Sequence, residues 1–443
     1  MEKLLKEVLN EITPTKEEQE KETKIIEKIF SEIKKFKLEP ILVGSLAKKT
    51  DLRSEKDIDI FIKFHKDVPR KELEQKAIEI GKKIFKKLKA RYEIDYAEHP
   101  YVIGSYKGYR VELVPCYDVL KPQSAVDRTP LHTSYIKEKV ANNEILRNEI
   151  RLLKKFMKGI NVYGAEAKIQ GFSGYLTELL ILYYGSFEKT LRNVANWKEQ
   201  EVIDIEHHWK NSKDLKYFFS GATLIVVDPV DKDRNVAAAI SKQKLSEFVF
   251  AARNFLQNPK KEFFFPKEKK PLKKEKILNI IRARGTKVAM LLFKHKRINP
   301  NVLYSQLRKT KKFIEKNLSE NEFKIFRAYE WSDEKNSSCL IFEFSVWKLP
   351  NVEHHFGPKI FSNEKDQEKF LKKYKNAYIE GDRFVVDKER KFSDAIKLLD
   401  EICKKKEGFG KDLKNSKVKI FEDKKILSFK NMEFFIFLSE IFK

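Results

Sequence analysis

The chain has 443 residues, 41% of them apolar and 12% aromatic with only 15 Gly and 14 Pro, a composition that excludes a largely disordered polymer. Its length exceeds the ~250–300 residues that one hydrophobic core sustains and implies roughly three domains. Lys and Arg number 92 against 66 Asp and Glu, a net charge of +26 that attracts polyanions, either nucleic acid or an anionic membrane surface; no stretch approaches the ~20 apolar residues of a membrane span, so a membrane partner would be peripheral.

The opening MEKLLKEVLNEITPTKEEQE is charged throughout and has no apolar signal-peptide core. Residues 1–36 read as a helical lead, with a helix start at Pro14 and Thr15 and with Ile25, Ile26, Ile29, Phe30 and Ile33 at helical spacing. PILVGS is a short buried strand entering a small-residue turn, and DIDIFIKF (57–64) alternates acidic and apolar residues as a strand with one polar face does. A basic amphipathic helix over 70–90 and two further strands, YEIDYA and YRVELVPCY, complete a small α/β unit with a mixed sheet. From 139 to about 257 the period turns helical in NEILRNEIRLLKKFMKG and in GYLTELLILYYGSFEKTLRNVANW, the latter introduced by Ser173 as N-cap. ATLIVVDPV is a strand, and RNVAAAISKQKLSEFVFAARNFL returns to helix. FFFPKEKKPLKKEK (263–276) is a charged, Pro-punctuated linker. Beyond it, TKVAMLLFK, a helix over about 299–317, EFKIFRAYEW and SSCLIFEFSVW make a β-α-β-β module. A helix over 364–375, a hairpin around Gly381 and Asp382, a helix near 392–405 and a basic, partly strand-like tail follow. The expected fold class is α+β and multidomain: a mixed-sheet head over 1–138, a mostly helical central domain over 139–257, and an α+β body and tail over 258–443.

The informative feature is Gly44-Ser45, then eleven residues, then Asp57-Ile58-Asp59. Strand side chains alternate, so Asp57 and Asp59 share a face about two rises (~7 Å) apart. Two such carboxylates repel, and a divalent cation between them makes the pair tolerable at a cleft edge. Phosphoryl transfer uses that arrangement, and Mg²⁺ prefers a few carboxylates plus substrate phosphates. A third carboxylate should come from a neighbouring strand: Glu112 in YRVELVPCY shares a face with Arg110 and Val114, and Asp95 in YEIDYA is the competing choice. A lone Asp-x-Asp is commonly solvated surface. With the Gly-Ser turn and a third acid it becomes a phosphate cradle beside a metal site. Cys116, Cys339 and Cys403 lie far apart, without CxxC or zinc spacing, which fits a reduced cytoplasm. His207-His208 and His354-His355 lack ligand partners at zinc spacing and read as structural or RNA-facing. Abundant Lys, Glu, Ile and Phe with scarce Gln and Met hint at a hyperthermophilic host.

GSLAKKTDLRSEKDIDIFI resembles the DNA polymerase β-like nucleotidyltransferase superfamily, whose signature is Gly-Ser followed by a spaced Asp-x-Asp. More narrowly, that block with YAEHPYV, VELVPCY, AVDRTPLH, RLLKKFMKGINVYGAEAKIQGFSGYLTELL and VVDPVDKDRNVAAA, in order over residues 44–239, resembles the archaeal class I CCA-adding enzymes, or tRNA nucleotidyltransferases. The resemblance implies a nucleotidyltransferase head and template-independent synthesis or repair of the 3′-terminal CCA of tRNA from CTP and ATP. By position it implies that Asp57, Asp59 and Glu112 are catalytic and hold Mg²⁺. Gly44, Ser45, Lys48, His132, Lys154 and Tyr163 would then bind the triphosphate, Arg234 would help read the base, and Glu98 and His99 would lie near the RNA primer end. Lys48 stands where Arg is common, exchanging a bidentate phosphate contact for a point charge. Glu112 stands where Asp is also usual. Each residue also has a plainer reading: Lys154 on a solvated basic face, Tyr163 in the core, His132 in a loop, Arg234 in a surface ion pair. The basic C-terminal region would hold tRNA by backbone and shape, with steep salt dependence. A poly(A) polymerase-like tailing enzyme and a noncatalytic RNA-binding protein on this scaffold remain as alternatives, and a homodimer stays open.

Overall fold

The computed structural model describes residues 1–53, 55–96, 99–119 and 124–442. The chain divides into two compact units, residues 1–267 and 268–443.

The first unit opens with α1 (Glu2–Ile12) and α2 (Lys16–Lys34), the latter started by a capping box between Thr15 and Glu18. Five strands follow: β1 (Glu39–Val43), β2 (Asp57–Phe64), β3 (Arg91–Tyr96), β4 (Pro100–Tyr106) and β5 (Tyr109–Tyr117), in the order β1-β2-β5-β4-β3. Only β2 and β5 pair in parallel, so the sheet is mixed as the sequence implied. The short helix α3 (Gly44–Lys48) links β1 to β2, and α4 (Arg70–Lys87) covers the sheet. Ile58, Ile60 and Ile62 point from β2 into a core shared with Ile25, Ile29 and Ile33 of α2 and with Leu73 and Ile84 of α4. That apolar face leaves Asp57 and Asp59 on the other side of β2. Strand β4 escaped the sequence reading because Pro100, Gly104 and Ser105 dilute its β-forming composition. Gly104 is there to admit Phe85, whose ring a Cβ would meet at 2.2 Å.

The unit continues with α5 (Ala125–Val140), α6 (Glu144–Gly159), α7 (Gly174–Tyr184), α8 (Phe187–Val194), β6 (Glu201–Ile203), α9 (Ser212–Phe218), β7 (Leu224–Asp228), β8 (Asp231–Asn235) and α10 (Lys242–Gln257). Ser173 caps α7 as expected, accepting from the Leu176 N–H. Four readings change. His132 lies on helix α5 and not in a loop, because Ser124 caps a helix that runs through Pro130. The run 174–197 breaks at Gly185, which takes φ +88 and ends α7. The stretch from Arg234 begins in strand β8 before it turns helical. The break expected at 138/139 falls within α5. Phe263, Phe264 and Phe265 belong to the helical core, where the first two pack on Phe156 and Phe255, so the connecting segment begins after them.

The second unit contains α11 (Lys274–Ala283), β9 (Lys287–Lys294), α12 (Pro300–Glu320), β10 (Lys324–Ser332), β11 (Ser337–Val346), β12 (Val352–Lys359), α13 (Glu364–Lys373), β13 (Tyr378–Glu380), β14 (Arg383–Glu389), α14 (Ala395–Lys405), α15 (Lys411–Lys414), β15 (Lys417–Glu422) and α16 (Met432–Ile441). The β-α-β-β module appears as read, within an antiparallel sheet ordered β10-β11-β9-β15, and the hairpin at Gly381 belongs to a second sheet ordered β12-β14-β13. Among the described residues, no helix is long and apolar enough to cross a membrane. All three cysteines are free and buried.

Candidate active site

At the end of β1 the chain turns at Gly44 with φ +73, and a Cβ there would stand 2.3 Å from Asp59 Oδ2. Only glycine lets the carboxylate lie against this turn. The parallel register pairs Asp57 with Arg110 and Asp59 with Glu112. Asp95 lies on β3, separated from β2 by β5 and β4, so the register places Glu112 next to Asp59. Burial, with the charge of Asp57, pushes the Asp59 carboxyl up to about 6. Burial also pushes Glu112 up to about 7, against the pull of Arg110 and with Asp59 and Asp57 adding to it. Arg110 pairs with Glu112 and stands 3.8 Å from Asp57. Among the described residues, no three His, Cys, Asp or Glu side chains converge tightly enough to grip a metal ion. The donors nonetheless suit a hard divalent cation: three carboxylates on paired strands, two of them held above their usual range by burial and mutual repulsion.

Gly44, Ser45, Lys48, Asp57, Asp59, Lys154 and Tyr163 all line one cavity of about 340 Å³, joined there by Glu55, Lys158, Tyr175 and Glu178. Lys48 is nearly buried and donates to Glu178 Oε2 at 2.6 Å, while the Thr50 hydroxyl donates to Glu178 Oε1 at 2.8 Å. Lys154 and Lys158 both pair with Glu55 and lie 5.8 and 5.1 Å from the centre of the Tyr163 ring. Burial holds the Tyr163 hydroxyl well above its usual range, which keeps it protonated and able to donate. Helix α6 is anchored to the segment between α3 and β2 by the buried Arg151, which donates to the carbonyls of Lys49 (2.7 Å) and Asp51 (3.1 Å). That anchor fixes the lysine-bearing helix opposite the acidic strand.

Behind Tyr175 lies a hub on Asp228, at the end of β7. Its fully buried carboxylate meets His132 Nε2 at 2.8 Å and accepts from the Tyr175 hydroxyl (3.1 Å), Arg234 Nη1 (2.7 Å) and the Val230 N–H (3.1 Å). Burial alone would raise its pKa; the hydrogen bonds from His132 and Arg234 bring it below the usual range. The His132 and Tyr175 rings stack at 3.9 Å, so His132 and Arg234 are held at the wall of the cavity without lining it. His99 is buried against Glu74 at 3.2 Å and does not line the cavity, and Glu98 lies outside the described residues. His354 pairs with Asp387 and Glu380, and His208 meets the Pro229 carbonyl. Glu55, Glu178, Tyr175 and the hub role of Asp228 had no sequence signature, since isolated polar residues in a turn or a helix look like surface. A larger hollow of about 560 Å³ beside Lys63 holds none of the candidate residues; there Lys63 pairs with Glu39 and Asp118, Lys76 with Glu72 and Lys83 with Glu79.

Three family profiles match the chain in succession: "Nucleotidyltransferase domain" over 23–139, "tRNA nucleotidyltransferase, second domain" over 148–265 and "CCA-adding enzyme, C-terminal domain" over 284–426. A CCA-adding enzyme of Methanocaldococcus jannaschii is 41% identical over 417 residues, covering 91% of this chain and 90% of its own. Another from Methanothermobacter thermautotrophicus is 39% identical, with 83% and 79% covered, and one from Methanosarcina mazei is 37% identical, with 97% and 96% covered.

Proposed function

The chain belongs to the CCA-adding enzyme family of tRNA nucleotidyltransferases, and we propose that its 340 Å³ cavity takes CTP and then ATP to build the 3′-terminal CCA of tRNA without a template. The observation that carries this reading is the parallel register of β2 and β5, which sets Glu112 beside Asp59, while Asp57 and Asp59 line a cavity together with Lys48 and Lys154 that Glu112 itself does not line. Carboxylates and ammonium groups gathered in one cavity suit a metal-bound triphosphate.

Members of this transferase class depend on divalent metal, and Asp57, Asp59 and Glu112 would hold Mg²⁺. When bound, the metal supplies Lewis-acid chemistry, easing ionisation of the RNA 3′-hydroxyl and offsetting charge on the leaving group. Ser45, Lys48, Lys154 and the protonated Tyr163 hydroxyl bind the β- and γ-phosphates and align them for in-line displacement. The bond formed joins the RNA 3′ oxygen to the α-phosphorus, and the bond broken releases pyrophosphate. His132 and Arg234, fixed on Asp228 behind Tyr175, would complete the nucleotide site from beside the cavity. Residues 268–443 hold the tRNA. Asp59→Ala should lower nucleotide incorporation by on the order of 10³-fold or more while tRNA binding, read by filter retention, changes little. Turnover retained in this variant would remove Asp59 from the metal site.

A further inference from the structure

Glu55 is an acidic residue facing the wall that must hold an acidic ligand. It lies in the tight turn before β2, its N–H bonded to the Leu52 carbonyl, and its side chain is only 14% exposed. Its two oxygens are divided between two cations, Oε2 to Lys154 and Oε1 to Lys158, and Oε2 also accepts from the Leu52 N–H at 3.3 Å. A phosphate would present oxygens to the same pair in the same way. Lys154 and Lys158 stand one helical turn apart on α6, where like charges repel. The cavity lining as a whole carries Lys48, Lys154 and Lys158 against Glu55, Asp57, Asp59 and Glu178, three cations to four carboxylates. A triphosphate that seats on Lys154 and Lys158 meets a carboxylate already bound to both.

We propose that Glu55 is an internal stand-in for the terminal phosphate: its carboxylate keeps Lys154 and Lys158 together and is displaced from them when a nucleoside triphosphate enters. Lys158 thereby joins the phosphate seat. This rests on the reading of the cavity as the triphosphate site. Glu55 competes with triphosphate for the two lysines, and after transfer it competes with pyrophosphate and hastens its departure. It is a positioning residue that acts through the lysines and touches no reacting atom.

Titration calorimetry of the full-length protein with inorganic tripolyphosphate, in magnesium buffer without tRNA, tests this. Glu55→Gln should bind about tenfold more tightly than the wild type, and Glu55→Ala should shift in the same direction. Lys158→Gln should bind more weakly. In tRNA extension, Glu55→Gln should lower KM for CTP while kcat stays level or falls, as pyrophosphate leaves more slowly. A Kd unchanged or raised in both Glu55 variants overturns the proposal, as does an unchanged Kd in Lys158→Gln. Tighter tripolyphosphate binding in a protein that adds something other than CCA would leave this inference standing and remove the substrate assignment. A wild type that takes up no tripolyphosphate would remove the cavity reading and this inference with it.

Discussion

At Gly44 the positive φ and the closeness of Asp59 impose the same residue for two reasons. Gly44→Ala would strain the backbone and drive a methyl group into the Asp59 carboxylate. We expect a stability loss of about 1–3 kcal/mol and a fall in incorporation of at least about tenfold, read by thermal melting and tRNA extension. Wild-type kinetics in this variant would show that the turn does not set the position of Asp59. This part of the site was legible in the sequence because alternation along β2 and the Gly-Ser spacing are local patterns. The choice between Glu112 and Asp95 was not local. It depends on which strand lies beside β2, and the sheet order that brings Glu112 rather than Asp95 next to Asp59 includes β4, the strand whose composition concealed it. Glu55 and Glu178 were illegible for a further reason: each is defined by a lysine about a hundred or more residues away in the chain.

Helix α2 carries Glu22 on its buried face, toward Asp51 and the Tyr109 hydroxyl. Burial, reinforced by the charges of Asp51 and Glu18, pushes its carboxyl from the usual 4.5 up to about 7. A folded value above the unfolded one means that the protonated form is favoured by folding. This stability is fully present below about pH 4.5 and is lost as pH rises through 7. Glu22→Gln, neutral at every pH, should match the wild type near pH 5 and exceed it by roughly 1–3 kcal/mol at pH 8. The comparison between the two proteins cancels the shifts of Asp59 and Glu112, and a pH-independent difference in denaturant unfolding would contradict it. Long, strongly periodic elements such as α2, α4 and α12 were readable from spacing alone. Helix α5 was obscured by Pro130, and the pair α7 and α8 read as one helix because their apolar period continues across Gly185.

Over the whole molecule, composition implied the class of partner and the motif blocks implied the family, whereas the limits of the units followed packing. The aromatic run 263–265 stands next to a lysine-rich stretch and looked like the start of a linker, yet Phe264 is completely buried in the helical core of the first unit. On the reading proposed above, the acidic strand, the lysines of α6 and the Asp228 hub form one site that adds a fixed trinucleotide to tRNA. The most direct test of that reading is to incubate the protein with magnesium, all four nucleoside triphosphates and a tRNA lacking its last three nucleotides, and to sequence the extended 3′ ends. Addition of C, C and A with release of one pyrophosphate per nucleotide, and then arrest, is the expected outcome. Open-ended tails, or no extension despite tRNA binding, would contradict it.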